Sequence, residues 1–204
     1  MISAIIPAAG LSTRMGRPKL TLPFGDGTVI GRVIAALRAG GVDAVLVVTG
    51  VHAPEVAELS RAAGAEALVL ERPTRDMRET VFAGLRWAEE QTSPGAGDAW
   101  FLAPGDQPTL SPAIIRDLIA YWHSSDRRAS IVVPNHDGER GHPTLIGWQH
   151  VKPMREMPSD VGINWYLRRH EDETFELPVD APAVLDDMDT PEDYARLNGD
   201  SGLN

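Results

Sequence analysis

Asp43-Ala44-Val45-Leu46-Val47-Val48-Thr49-Gly50 is an apolar run of strand length with no polar residue inside it until Thr49, and it restricts the fold more than any other stretch. A strand with one wet face alternates apolar and polar residues. An unbroken run is what a strand buried on both faces shows, the usual state in a parallel sheet covered by helices. Met1 to Ile6, Ala99-Trp100-Phe101-Leu102-Ala103-Pro104 and Ser130-Ile131-Val132-Val133-Pro134 read the same way, and Ala67 to Leu70 gives a shorter strand. Between these runs apolar residues recur at helical intervals over Thr28–Ala39, Pro54–Ala63, Thr80–Glu90 and Pro112–Trp122. The first of these stops at Gly40-Gly41, a helix-end signal. The alternation predicts an α/β fold: a three-layer, Rossmann-like, mostly parallel sheet with helices on both faces and right-handed crossovers. No repeat, low-complexity tract or linker interrupts it, so residues 1–198 read as a single domain and 199–204 as a C-terminal tail.

Ligands of such sheets gather beyond the carboxyl ends of the strands. The first strand runs directly into Pro7-Ala8-Ala9-Gly10-Leu11-Ser12-Thr13-Arg14-Met15-Gly16-Arg17-Pro18-Lys19. Gly10 and Gly16 let main chain approach a ligand closely, and successive N–H groups in such a turn form an anion-binding concavity. Arg14 adds a planar fork for phosphate oxygens and Lys19 a point charge on a flexible stem. The stretch is neither a P-loop, since Arg17 follows Gly16, nor a G-x-G-x-x-G dinucleotide turn. It reads as a loop made to hold a polyphosphate.

Composition narrows the partners. The 204 residues carry a formal net charge of −10, which argues against a general nucleic-acid binder while allowing one local basic cluster to hold a nucleotide. Cysteine is absent, which excludes disulfides, thiolate metal sites and a cysteine nucleophile. No stretch approaches the ~20 apolar residues of a membrane helix, and no signal peptide is legible, so a cytoplasmic protein with no membrane partner is expected.

Two acidic segments carry the remaining chemistry. Gly105-Asp106-Gln107-Pro108 puts a carboxylate just past a buried strand, where a hard cation such as Mg²⁺ would take it together with substrate phosphates; alone, the tetrapeptide reads equally as a turn. In Asp186-Asp187-Met188-Asp189-Thr190-Pro191-Glu192-Asp193, Thr190 suits a helix cap, Pro191 its first position, and Glu192 and Asp193 its first turn. Asp189 has no such structural explanation. Arg140-Gly141-His142-Pro143 follows a polar, hairpin-like stretch and is a turn on its face. His52 and His136 read as surface or structural, and His123, His150 and His170 lie in polar context without ligand spacing. Trp165 reads as the core of a late helix, and Arg168-Arg169 as its solvated end.

The pattern A-A-G-x-S-x-R-M-G-x-x-K at Ala8–Lys19, with G-D-Q-P, R-G-H-P and D-x-D-T-P-E-D, resembles the MobA-like nucleotidyltransferases, and among them the molybdenum cofactor cytidylyltransferase branch. The resemblance spans essentially the whole chain and implies a fold of the nucleotide-diphospho-sugar transferase type. It implies transfer of CMP from CTP to a phosphorylated acceptor such as molybdopterin, with release of pyrophosphate and with Mg²⁺ as cofactor. By the same resemblance Ala8, Ala9, Gly10, Leu11, Ser12, Arg14, Lys19 and Asp106 bind the nucleotide, and Arg14, Lys19 and Asp106 are catalytic. Asp106 and Asp189 would hold the metal, with Asp187 a weaker candidate, and Arg140, Gly141, His142 and Pro143 would face the acceptor. In these relatives Ala-Ala-Gly goes with cytidine, which favours CTP, and the implied partners are the NTP, the acceptor and a molybdoenzyme that receives the product. One segment departs from the family: Glu71 to Val81 replaces an N-P-x-W-x-x-G-M-x-S-S-L-like loop with a shorter, charged one, which opens the identity of the acceptor. There Arg75 and Arg78 read either as anion ligands or as exposed residues paired with Asp76 and Glu79. The same-class alternative is a nucleotidyltransferase for a sugar phosphate or another small acceptor; a non-catalytic nucleotide-binding module is the alternative from a different class.

Overall fold

A computed structural model describes residues 1–10, 15, 18–124 and 128–200. The chain opens with β1 (Ile2–Ala8), passes through a one-turn 3₁₀ helix at Lys19–Thr21, and forms a small antiparallel pair, β2 (Pro23–Phe24) and β3 (Gly27–Thr28). Helix α1 (Val29–Ala39) follows, then β4 (Ala44–Gly50), α2 (Pro54–Ala62), β5 (Glu66–Leu70), α3 (Met77–Thr92), β6 (Ala99–Leu102) and α4 (Pro112–His123). The second half holds β7 (Ile131–His136), β8 (Glu139–Arg140), β9 (Thr144–Gly147), the short α5 (Val151–Arg155) and α6 (Ile163–Arg169), β10 (Thr174–Pro178) and α7 (Pro191–Asp200). The closing helix runs past residue 198.

The main sheet has eight strands in the order β10-β7-β9-β6-β1-β4-β5, with β8 paired to β7 as the second arm of a hairpin. β1 is parallel to both β4 and β6, β4 to β5, and β7 to β10, while β9 runs antiparallel between β6 and β7. The sheet is therefore mostly parallel, as the unbroken apolar runs imply. Its central strands send alternate side chains to two separate cores. Ala4, Ile6, Val45, Val47 and Phe101 pack with α1 and α4 on one face. Ile5, Leu46, Val48, Trp100 and Leu102 pack with α3, α5 and α6 on the other. Filling both faces at once is why these runs carry so few polar residues. Each fully buried aliphatic side chain contributes about 1.5–3 kcal/mol.

Local signals explain most boundaries. Thr28 caps α1, its hydroxyl accepting from Gly31 N at 3.2 Å. Helix α3 begins at Met77, three residues before the point the periodicity predicts, because Asp76 caps it by accepting from Glu79 N at 2.8 Å. Glu79 in turn accepts from Arg75 N at 2.7 Å, close to a capping box. In α6 the seven-residue length buries only Ile163 and Tyr166. Trp165 is on the surface, 37% exposed with the Arg169 guanidinium 4.9 Å from its ring centre, contrary to its expected core position. His150 departs from expectation the other way. It is 3% exposed, and burial holds its imidazole below the usual histidine range.

Gly84 fixes how closely α3 lies on the sheet. A Cβ there would stand 2.8 Å from Val48 Cγ2 and 2.9 Å from Ile5 Cγ2, so any side chain forces helix and sheet apart. Gly84→Val is expected to cost about 1–3 kcal/mol by overpacking, read as a lower urea midpoint. Gly97→Ala, where a Cβ meets nothing within 4 Å, should leave the midpoint within about 0.5 kcal/mol of wild type.

Candidate active site

A cleft of about 530 Å³ opens beyond the carboxyl ends of β1 and β6. Ala8, Ala9 and Gly10 form one wall, Pro104, Gly105 and Asp106 another, and Lys19 and Asp189 its floor. Of the residues expected to hold the nucleotide, Leu11, Ser12 and Arg14 lie outside the described residues.

Each charged group reaches the floor for a local reason. Lys19 opens the 3₁₀ turn whose next residue, Leu20, is buried, so the turn is anchored and the lysine faces the cleft. Asp106 follows β6 through Gly105, where a Cβ would lie 3.1 Å from Ile6 Cγ2 and 3.4 Å from Leu20 Cδ2. That close approach seats the turn against β1 and the lysine. Asp189 arrives from the far end of the chain. Buried Met188 donates its N–H to the Asp106 carbonyl at 3.2 Å, tying the two acidic segments together by backbone. Immediately beyond, Thr190 and Asp193 form a reciprocal cap on α7. Asp193 N donates to the Thr190 hydroxyl at 3.2 Å, and the Asp193 carboxylate accepts from Thr190 N at 2.9 Å and Asp189 N at 3.2 Å.

The outcome is a triad of charges. Lys19 Nζ donates to Asp106 Oδ2 at 2.5 Å and to Asp189 Oδ1 at 2.9 Å. Burial alone would lower the Lys19 ammonium, but Asp106, and after it Asp189, outweigh burial and hold it above its usual range. Asp187 stands one layer back, its Oδ1 accepting from Gln107 Nε2 at 3.3 Å. Burial, and then the neighbouring Asp106, raise the Asp187 carboxyl above the ordinary carboxylate range. Burial keeps His142 low against the opposing pull of Asp187 and Asp106. Asp106 and Asp189 thus turn one oxygen each to the same nitrogen, a point where positive charge is stabilised, with Asp187 behind them on Gln107. An all-oxygen, acid-rich donor set of this kind suits a hard divalent cation.

The R-G-H-P segment divides. His142 N donates to the Val184 carbonyl at 2.8 Å, and a Cβ on Gly141 would lie 2.5 Å from that same oxygen. Gly141, His142 and buried Pro143 therefore back the turn that delivers Asp187 and Asp189. Arg140 is apart from the cleft, exposed on β8 and paired with Glu176 at 2.7 Å. The divergent segment also resolves. The Arg78 guanidinium is engaged by backbone, donating to the carbonyls of Met157, Pro158 and Val161 at 3.1, 2.5 and 3.3 Å. Asp76 and Glu79 do not pair with it. Arg75 lies on the cleft rim, beside Glu79 at 3.5 Å. Thr74 and Thr80, which escaped the sequence reading, also line the cleft, as does His52, expected to be surface or structural. His52 stacks over Gly50, where a Cβ would come within 2.6 Å of the ring, and nothing but that neighbouring glycine hints at it.

Residues 4–175 match the MobA-like NTP transferase domain, and the chain belongs to that family. The molybdenum cofactor cytidylyltransferase of Escherichia coli is 28% identical over 194 residues, which cover 95% of this chain and 93% of that protein. A phosphoenolpyruvate guanylyltransferase of Rubrobacter xylanophilus is also 28% identical, over 93% of this chain and 84% of the relative. The crystal structure of Rv0371c from Mycobacterium tuberculosis superposes with a TM-score of 0.78 at 28% identity, covering 97% of each chain. Its complex with manganese gives 0.73, over 97% of this chain and 98% of that one. The chain is a nucleotidyltransferase with the fold of the nucleotide-diphospho-sugar transferases. Gly141→Ala, by displacing the Val184 turn, is expected to lower nucleotidyl transfer about 10–100-fold with the circular dichroism spectrum unchanged; wild-type turnover would contradict the backing role.

Proposed function

We propose that this protein transfers CMP from CTP to a phosphorylated small molecule, with molybdopterin the first acceptor to test. The observation that carries the reading is Lys19 held between Asp106 and Asp189 at the floor of a cleft large enough for a nucleotide. Residues 1–198 would act as one catalytic domain in the cytoplasm, and the product would pass to a molybdoenzyme.

In this mechanism an ionised phosphate oxygen of the acceptor attacks the α-phosphorus of CTP. The bond from that phosphorus to the α,β-bridging oxygen breaks, and pyrophosphate leaves with the bonding pair. Such a transfer needs alignment and charge neutralisation more than covalent help from the protein. Asp106 and Asp189 would hold Mg²⁺, which when bound polarises the α-phosphate and supports the attacking oxygen. Lys19, with three N–H donors on a flexible stem, would bond the β- and γ-phosphates and neutralise the charge that collects on pyrophosphate. Arg14 would share that work. The backbone of Ala9 and Gly10, where β1 ends, would border the base and α-phosphate. Ala9 carries the preference for cytosine, a side-chain methyl standing where guanylyl-transferring relatives have a second glycine. Arg75, on the cleft rim and mostly exposed, is the residue of the divergent segment best placed for an anionic acceptor, since Arg78 is committed to backbone carbonyls.

The test is pyrophosphate release from each of the four NTPs with Mg²⁺, with and without molybdopterin. CTP with molybdopterin should give the fastest release. Asp106→Ala should abolish transfer at saturating Mg²⁺, and Lys19→Ala should lower kcat/KM at least about 100-fold. Clear GTP preference would overturn the base assignment, and near-wild-type turnover of Asp106→Ala would overturn the site.

A further inference from the structure

At the opposite edge of the sheet, His150, His170 and Glu173 each place one ligand atom within 4.8 Å of the other two. We propose that these three residues form a second metal site, chemically distinct from the carboxylate floor of the cleft, that takes a borderline divalent ion of the zinc type. The proposal is independent of the nucleotidyl-transfer reading.

The topology gathers the donors from separate elements. Glu173 directly precedes β10, so it sits at the amino end of a strand parallel to β7, itself preceded by Ser130. His150 ends the 3₁₀ turn after β9, the antiparallel strand, and so returns to that same edge. His170 closes α6. The backbone is already knitted there: Ser130 N donates to the Glu173 carbonyl at 3.0 Å, Gly147 N to the Ser130 carbonyl at 2.8 Å, and Glu173 N to the His170 carbonyl at 3.1 Å.

The donor set is two imidazoles and one carboxylate, the combination that binds zinc with three protein ligands and one further position. His150 Nε2 stands 3.7 Å from Glu173 Oε2. Ligands of a tetrahedral zinc with bonds of about 2.1 Å are spaced by about 3.4 Å, so the pair needs little movement. The outer contacts are those that orient metal-binding histidines. His170 Nδ1 bonds the Tyr166 carbonyl at 2.9 Å, which leaves the lone pair on Nε2, and no described residue takes it. His150 Nδ1 bonds the Tyr166 hydroxyl at 2.8 Å. The Tyr166 ring also stacks on His170 with centroids 3.9 Å apart, fixing the second imidazole by packing. One group competes. The Ser130 hydroxyl lies 2.7 Å from His150 Nε2 and donates to Glu173 Oε2 at 2.9 Å. Because that hydroxyl's proton is engaged with Glu173, His150 Nε2–H donates to Ser130 Oγ and Nδ1 accepts from the Tyr166 hydroxyl. An ion at Nε2 would displace Ser130 and move the imidazole proton to Nδ1, which would then donate to Tyr166 Oη.

Such an ion would brace α6, the edge strand β10 and the turn after β9. Hard Mg²⁺ prefers the oxygen site and zinc the imidazoles, so the two sites separate by metal as well as by place. The test is calorimetric titration of Zn²⁺ into EDTA-stripped, dialysed protein in excess Mg²⁺, with Asp106→Asn as background to remove the cleft's contribution. One equivalent should bind with micromolar or tighter affinity and raise the melting temperature. Added Glu173→Gln should weaken binding at least about tenfold, and added His170→Ala should abolish both binding and the thermal shift. Both variants change partly exposed groups, and circular dichroism would check their folding. Co²⁺ in place of Zn²⁺ should give the visible bands of a four-coordinate ion. No stoichiometric Zn²⁺ binding, or binding unchanged in folded His170→Ala, overturns the proposal.

Discussion

Two carboxylates that face one point repel each other unless a positive charge stands between them, and the cleft is built around that requirement. Lys19 meets Asp106 across 87 positions of sequence and Asp189 across 170. The strand order makes the first meeting straightforward, since β1 and β6 are direct neighbours and both end at the same edge. The second depends on one backbone bond, from Met188 N–H to the Asp106 carbonyl, and on the Val184 turn packed against Gly141. The floor carries more carboxylate than ammonium charge, and under the proposed function a divalent cation and a triphosphate would neutralise it together.

The two sheet edges therefore differ in chemistry. The carboxyl edge of the central strands presents oxygens to a cleft, and the amino edge of β7 and β10 presents imidazole nitrogens in a small, hydrogen-bonded cluster. An oxygen-rich site and an imidazole site favour metals of different hardness, so under the two proposals one would serve chemistry and the other would hold the late strands in place.

Much of this was legible in the chain itself, for physical reasons that differ by residue. The unbroken apolar runs at Val45–Val48 and Ala99–Leu102 revealed the doubly covered sheet because both faces must be filled. Asp106 was legible as a carboxylate at a buried strand's end, and the cap at Thr190 followed from a side-chain pattern that acts within four residues. Contacts across long sequence separations were not legible. Arg78 read either as an anion ligand or as an exposed partner of Asp76 and Glu79, yet three carbonyls of the 157–161 turn occupy it. His150 and His170 showed no ligand spacing because β9, α6 and β10 supply the proximity that spacing along the chain does not. Trp165 read as core but lies on the surface because the short helix α6 buries one stripe only, that of Ile163 and Tyr166.

The most direct measurement of the central claim is a crystal structure with Mn²⁺ and a non-hydrolysable CTP analogue, read in the anomalous difference map. The account predicts a manganese peak between the Asp106 and Asp189 carboxylates, with Lys19 Nζ turned from them to the phosphates. A nucleotide bound with its metal away from both acids, or with Lys19 still paired to them, would contradict it.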